Sequence, residues 1–313
     1  MRSALRVASG RWGFLVAIGG KGSQEPMWHT QLNCRKISVV QIFAARQRKW
    51  SGLVLVLCSL TMFTGCGTLP NGRGWGQDAT LFPGWHRVGK AALNAALEPE
   101  TWAPVAGAVI FQIGSLDQNL SNWASKRTPI FGSQTNAGVA SDVLQGVAAG
   151  SSLIVALATP SGEQPGDWAL AKAKGLSVDI TAVALTWGAT SGLKSATNRT
   201  RPNGSSGSFP SGHASNTSVC DTLASRNVDF LSLPDGARIG FKIGFTALTV
   251  STAWARVEAK AHFPSDVLAG MALGHFLGAF INDAFLGADT PKNFSFAVEP
   301  SKKDIYCTVR WVF

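Results

Sequence analysis

Five stretches rich in Ala, Leu and Val, each 13 to 16 residues long, dominate the chain beyond residue 100: 103–116, 143–158, 180–193, 243–255 and 267–281. Strands in globular proteins average about 5 to 6 residues, so apolar runs of this length read as helices. They fall short of the roughly 20 residues that a spanning helix requires, and Gln112, Gln145 and His275 interrupt three of them. They are therefore expected to be buried core helices of a soluble body. The separators are turn-like, with two prolines and two glycines in 159–167 and a Gly/Ser-rich segment at 203–208. The tail differs, because 294–298 and 305–313 are strand-like and Ile305, Cys307, Val309, Trp311 and Phe313 alternate with more polar positions. The expected fold is all-α, a helical bundle core with a small C-terminal β-hairpin. With 313 residues and 15% charged residues, one main domain is the default.

The net charge of +10 is unevenly placed. Residues 1–65 hold nine Lys/Arg and one Glu, which leaves a body of only +2. Without a basic run or stripe, that body lacks the footprint of a nucleic-acid binder, so no nucleic-acid partner is expected. The positive charge sits instead where an export signal needs it: Arg46, Arg48 and Lys49 precede the apolar segment 53–63. The segment ends in Phe63-Thr64-Gly65-Cys66, which resembles the lipobox of bacterial lipoproteins, with Phe63 where Leu is usual. Cys66 is then the lipidated first residue. Residues 1–45 lie upstream of a complete signal and are read as the product of a misassigned start.

The expected segments are 1–65 as leader, 66–100 as lipid tether and N-terminal segment, 101–290 as the helical domain, and 291–313 as the hairpin. The tether is expected to be flexible, because 65–76 holds five glycines and Pro70. The protein is expected to be exported and held by its lipid on the periplasmic side of the envelope, at the outer membrane. Of the cysteines, Cys220 and Cys307 remain once the leader is removed and Cys66 is modified. An oxidising compartment permits a bridge between them, although an isolated cysteine on an apolar helix face is also ordinary as a free thiol.

Three segments concentrate polar groups: Lys194 to Arg201-Pro202, Pro210-Ser211-Gly212-His213, and Arg256 to His262 and Asp266. They supply three cations, two imidazoles, a hydroxyl and a carboxylate, the equipment for holding a tetrahedral anion and moving a proton. Ser211-Gly212-His213 leads into a helix whose first amides are free to cup anion oxygens, with Gly212 allowing close approach. Ser-Gly before a helix is also an ordinary cap. His262 and Asp266 are spaced i, i+4 and share a helix face, so an Asp accepting from one ring nitrogen would leave the other as a base or nucleophile. Taken alone, His262 also reads as a structural histidine, and cations such as Arg199 and Lys260 as helix ends. No His/Cys cluster has metal-ligand spacing, so no metal or other cofactor is expected.

In order and spacing the three segments resemble the signature of the type 2 phosphatidic acid phosphatase superfamily, which includes bacterial acid phosphatases and vanadium haloperoxidases. Trp254-Ala255-Arg256 through His262, and Ser265 to Gly270, look like the lipoprotein-type members. The resemblance covers 185–274 strongly and 101–290 loosely. It implies phosphate binding by Lys194, Arg201, Ser211, Gly212 and Arg256. It implies attack on phosphorus by His262, orientation of His262 by Asp266, and protonation of the leaving oxygen by His213. Ala255 departs from the serine usual before this arginine, which puts one supporting hydrogen bond in doubt. The implied activity is hydrolysis of phosphate mono- or diphosphate esters, lipid or soluble, through a phosphohistidine and without a metal. The same cage holding vanadate would make a haloperoxidase, and an inherited but silent pocket would make an anion-binding lipoprotein.

The lipid anchor is open to a direct test. Wild type is expected to incorporate labelled fatty acid and to partition into detergent, and Cys66→Ser to do neither; retained labelling in the variant would remove Cys66 as the anchor.

Overall fold

A computed structural model describes Gly65, residues 67–69 and 72–287, and the backbone of Phe294–Pro300 and Ile305–Trp311. The leader and Cys66 lie outside the described residues, and the lipid anchor with them. Eight α-helices follow one another: Trp85–Leu97 (α1), Pro99–Phe111 (α2), Leu116–Arg127 (α3), Gln134–Ala158 (α4), Pro165–Thr197 (α5), Gly212–Val228 (α6), Asp235–Glu258 (α7) and Pro264–Ile281 (α8). Local sequence sets their ends. Proline occupies the first helical position of α2, α5 and α8, where its missing N–H costs nothing. Ser133 and Ser211 cap α4 and α6 by accepting from Asn136 and Ala214.

Helix α6 is the axis of the bundle, packed against α4, α5, α7 and α8. Its buried residues are small or polar: Ser215, Thr217, Ser218, Asp221, Thr222 and Asn227 lie among Ala214, Val219 and Leu223. Three of these groups, Ser215, Ser218 and Asp221, find partners on the surrounding helices. Thr190 of α5 meets Ser215 at 2.9 Å, Ser218 donates to the Met271 carbonyl at 2.7 Å, and Thr249 of α7 donates to Asp221 at 2.5 Å. Along α8, Gly270, Gly274 and Gly278 recur every fourth residue and face α6. A Cβ on Gly270 would lie 2.6 Å from the Ser211 carbonyl oxygen, and one on Gly274 2.2 Å from that of Ser215. The two backbones approach closely because a small residue stands at each crossing.

The outer faces are apolar. Val143, Ile180 and Ile243 are 58%, 67% and 65% exposed, and they share the surface of α4, α5 and α7 with Val147, Leu185 and Val250. The expectation that the apolar runs are buried core is therefore corrected. Ala, Gly, Ser and Thr fill the interior because they let helices pack closely, which turns the larger aliphatic side chains outward. Two helical stretches, Gln134–Ala158 and Pro264–Leu286, are long and apolar enough to cross a membrane. The sequence runs looked too short because Ser, Gly and Gln break the hydropathy of helices that continue past them.

The expected flexible tether is corrected as well. Gly67 bridges to Gly162 and Trp75 donates its backbone N–H to the Pro160 carbonyl, which pins this segment to the α4–α5 turn. The Trp75 indole is fully buried and donates to Asn227, which in turn donates to Asp179. Cys220 is buried and free among the described residues, and the side chain of Cys307, with any bridge to it, lies outside them. The C-terminal β-hairpin is described by backbone alone: Phe294–Pro300 pairs antiparallel with Ile305–Trp311. Its side chains lie outside the described residues, so its packing on the body does too, and the fold as stated is the helical body.

The glycine ladder gives a quantitative expectation. Gly274→Ala is expected to destabilise by about 1–3 kcal/mol, read as a lowered Tm in detergent, because the new methyl overpacks against Ser215 backbone. Gly146→Ala, with nothing within 4 Å, should change it little. Equal effects from the two variants would refute the close-packing account.

Candidate active site

One end of the bundle is where α5 and α7 finish and α6 and α8 begin. This topology gathers Lys194 near the end of α5, Arg201 in the following loop, Ser211-Gly212-His213 at the start of α6, Arg256 near the end of α7, His262 in the next loop, and Asp266 in the first turn of α8. Residues spread over 194–266 thus contribute to one cluster. Cys66, the remaining singled-out residue, lies outside the described residues.

The side chain of His262 is 2% exposed, and its Nδ1 lies 2.7 Å from the Ser208 carbonyl oxygen. A carbonyl oxygen only accepts, so Nδ1 carries the proton and Nε2 presents its lone pair. Burial pushes the imidazole down to about 4; Asp266 opposes this, and Lys194 and Arg256 add to it. His262 is consequently neutral across the physiological range, as a nucleophile requires.

Asp266 does not accept from the His262 ring directly, for its nearer oxygen lies 3.8 Å from Nδ1. The expected contact is replaced by an indirect one. The fully buried Asp266 carboxylate accepts from the Ser208 hydroxyl, from the Phe263 amide at 2.9 Å and from Arg199 at 2.8 Å. It fixes Ser208, and the Ser208 carbonyl fixes the ring. The i, i+4 rule brought the two residues to one face, but His262 precedes the helix, so the ring points off the helical register.

Arg199 is more than a helix end. It bridges Asp266 and Asp117, the second at 2.6 Å, and its guanidinium lies 4.5 Å from the centre of the Phe263 ring. Asp117, from α3, also accepts from the Ser265 amide at 2.8 Å and from its hydroxyl. An acid–base–acid chain therefore stands behind His262, supplied by three separate parts of the sequence. Arg199 was legible as a third cation within the Lys194–Arg201 segment. Asp117 was not, because it lies 148 residues from its Ser265 partner and looks like an ordinary first-turn acid.

The front of the cluster is positive. Lys194, Arg201 and Arg256 lie within electrostatic reach of one another; Arg256 and Arg201 act on His213, and Lys194 and Arg256 on His262. Lys194 donates to the Gly207 carbonyl at 2.6 Å, and Arg256 donates to the Ser141 hydroxyl at 3.1 Å. A serine hydroxyl thus reaches Arg256 from α4. The Nε–H groups of Arg201 and Arg256 are buried and have no partner among the described residues. A buried, unsatisfied charged donor costs about 1–3 kcal/mol or more, and an oxyanion would remove that cost at both sites. The amides of Gly212 and His213, first in α6, have no helical acceptor behind them and add to the same anion field.

His213 is half-buried, and its Nε2 lies 2.7 Å from Asp142 of α4. Burial, with Arg256, holds it below its ordinary 6.5 against the pull of Asp142. Among the described residues, the group whose ligand atoms could hold a metal is Glu98, Glu100 and His275. There, Arg226 already donates to both Glu98 oxygens, at 2.8 and 2.9 Å, and His275 bonds the same carboxylate at 2.8 Å. That cluster reads as an internally neutralised ion-pair network.

Residues 178–286 match the family model described as the PAP2 superfamily. That stretch contains every residue of the three polar segments. No curated protein matches the chain. A solved structure, the crystal structure of the first transmembrane PAP2 type phosphatidylglycerolphosphate phosphatase from Bacillus subtilis, is 19% identical. The alignment covers 63% of this chain and 94% of that one, with a TM-score of 0.43.

Imidazole NMR titration tests the electrostatics. His262 is expected to titrate near pH 4 and His213 below 6.5. In Arg199→Gln, Asp266 loses a neutralising partner and favours the His262 cation more, so the His262 midpoint should rise. A midpoint for His262 near 6.5 in wild type would contradict the buried, neutral assignment.

Proposed function

We propose that this chain is a phosphatase that hydrolyses lipid phosphate esters through a phosphohistidine on His262. The observation that carries the proposal is the pair of buried, unpartnered guanidinium donors on Arg201 and Arg256, set beside a neutral imidazole with a free Nε2 lone pair. The match of residues 178–286 to the PAP2 superfamily supports the same chemistry.

In the proposed reaction, Lys194, Arg201, Arg256 and the first amides of α6 hold three phosphate oxygens, and the Ser211 side chain shapes the turn that aims those amides. The Nε2 lone pair of His262 forms a bond to phosphorus as the ester P–O bond breaks. The leaving oxygen keeps that bond's electron pair and takes a proton from His213. Water then attacks the phosphohistidine, with the now neutral His213 accepting its proton, and His262 leaves with the lone pair restored. The three side-chain cations carry the charge stabilisation, so no step calls for a metal.

The substrate class follows from the surface. The proposal places the apolar faces of α4, α5 and α7 in lipid, which corrects the expectation of a soluble body, and puts the site at a membrane–water boundary where a lipid headgroup can enter. Export and a lipid on Cys66 belong to the same proposal. The docked residues 67–69 and 72–75 would hold that lipid at the other end of the bundle from the site, about 25 Å along α4 from Asp142 to Thr159.

Purified protein in detergent is expected to release phosphate from phosphatidic acid or phosphatidylglycerol phosphate faster than from sugar phosphates. Labelled phosphate should be trapped on wild type after rapid alkaline quench, in which a P–N bond survives, and absent from His262→Ala, which should lose about 10³-fold or more in turnover. General acid help is typically worth about 10²- to 10⁴-fold, so His213→Ala should lose that much with alcohol leaving groups and less with a nitrophenolate. The kcat/KM profile is expected to be bell-shaped and to peak on the acid side of 6.5, since His262 must be neutral and His213 protonated. Full activity in His262→Ala, or trapping of phosphate on His213, would overturn the assignment.

A further inference from the structure

Asp142 is the strongest feature that the site chemistry leaves unused. It stands on α4, outside the residues 178–286 that match the family model, and no motif in the sequence marks it. Its Oδ1 lies 2.7 Å from His213 Nε2, although its own side chain is 67% exposed. The preceding residue, Ser141, is buried and meets Arg256. One turn of α4 therefore touches both the proposed acid and one of the proposed phosphate cations.

We propose that Asp142 is a positioning and specificity-determining residue that makes this site select phosphate monoesters with an alcohol leaving group and disfavour diphosphates. The inference rests on the phosphatase reading and deepens it.

A carboxylate only accepts, so in this pairing Nε2 of His213 carries a proton and is aimed toward Asp142. The leaving oxygen must reach that same proton. As the P–O bond breaks, the oxygen keeps the electron pair and takes the Nε2 proton, and the ring is left neutral with its remaining proton on Nδ1. Whatever is attached to the leaving oxygen then lies against the Asp142 carboxylate. An alcohol, above all one with a neighbouring hydroxyl, meets it without charge conflict and can donate to it. A leaving phosphate brings one or two negative charges to the same place.

The other charged groups facing His213, among the described residues, are Arg256 from α7 and Arg201 from the loop after α5. Both are cations that disfavour a protonated imidazole. Asp142 is the opposing charge that favours it, so removing that charge is expected to weaken the acid. For a pair this exposed, screening limits the charge discrimination to about three- to tenfold.

The test compares diacylglycerol phosphate with diacylglycerol diphosphate in detergent micelles. Their lipid is the same and their leaving groups differ, an alcohol in one and a phosphate in the other. With full-length protein, Asp142→Asn is expected to raise the diphosphate-to-monophosphate ratio of kcat/KM by about three- to tenfold. The basic limb of the monophosphate pH profile should move to lower pH, because His213 loses its supporting charge. Asp142→Glu, which keeps the charge, should stay near the wild-type ratio. Inorganic phosphate inhibition should persist in both variants, which shows that the cation cluster is intact. An unchanged ratio and an unchanged basic limb in Asp142→Asn, with turnover still dependent on His262, would overturn the role of Asp142 and leave the phosphatase reading standing. Turnover of both lipids that survives His262→Ala would overturn that reading and this inference together.

Discussion

The close crossing of α6 and α8 is the constraint on which the site depends. Gly270 and Gly274 let α8 lie against the backbone of Ser211 and Ser215, and the Ser211 amide donates to the Asp266 carbonyl at 2.9 Å. This contact sets two helix N-termini side by side. One brings Ser211, Gly212 and His213, and the other brings Asp266 with His262 just ahead of it. A larger residue at either glycine would separate those starts, and the site residues would no longer share one volume. Packing in the middle of the bundle thus governs geometry at its end.

Electrostatics gives the cluster two sides. The front holds Lys194, Arg201 and Arg256, whose like charges repel; the buried Nε–H donors of the two arginines lack partners among the described residues. The back holds Asp117, Arg199 and Asp266, which satisfy one another through short charged hydrogen bonds. His262 lies between them. Its burial keeps it neutral, and its Nδ1 is committed to Ser208, so the remaining nitrogen is the one left for chemistry. Among the described residues, the front thus keeps unpaired charged donors while the back is already satisfied, the arrangement that the proposed anion binding calls for.

The distribution of side chains reverses the usual soluble pattern. Ser, Thr, Asp and Asn line the axis around α6, and Val, Leu and Ile cover much of α4, α5 and α7. Inside, hydroxyls such as those of Ser218 and Thr249 reach a carbonyl or carboxylate on a neighbouring helix, which offsets part of the desolvation cost of the polar interior. Outside, the aliphatic surface matches a lipid environment. At the end of the bundle away from the site, Trp75 and Lys172 tie the N-terminal segment to α4 and α5, with the lysine ammonium on the Ala156 and Thr159 carbonyls and 5.0 Å from the indole. Both ends of the bundle thus carry polar contacts that join separate elements.

The sequence by itself determined the helical class and the residue types of the site. Apolar runs too long for strands can be satisfied only as helices, and cations, histidines and a Ser-Gly helix start at fixed spacing state their chemistry locally. It could not determine which helical face points inward, because Ala, Gly, Ser and Thr count as weakly apolar or polar in a composition and become the core only where close backbone approach requires small residues. Nor could it reveal Asp117, Asp142 or the route from Asp266 through Ser208 to His262. Those contacts join α3, α4 and the α5–α6 loop to residues 54 to 148 positions away, and no local periodicity records them. Only the tertiary structure decided them, because hydrogen bonds and ion pairs depend on distances of about 3 Å that are fixed by how helices cross and not by the order in which they occur.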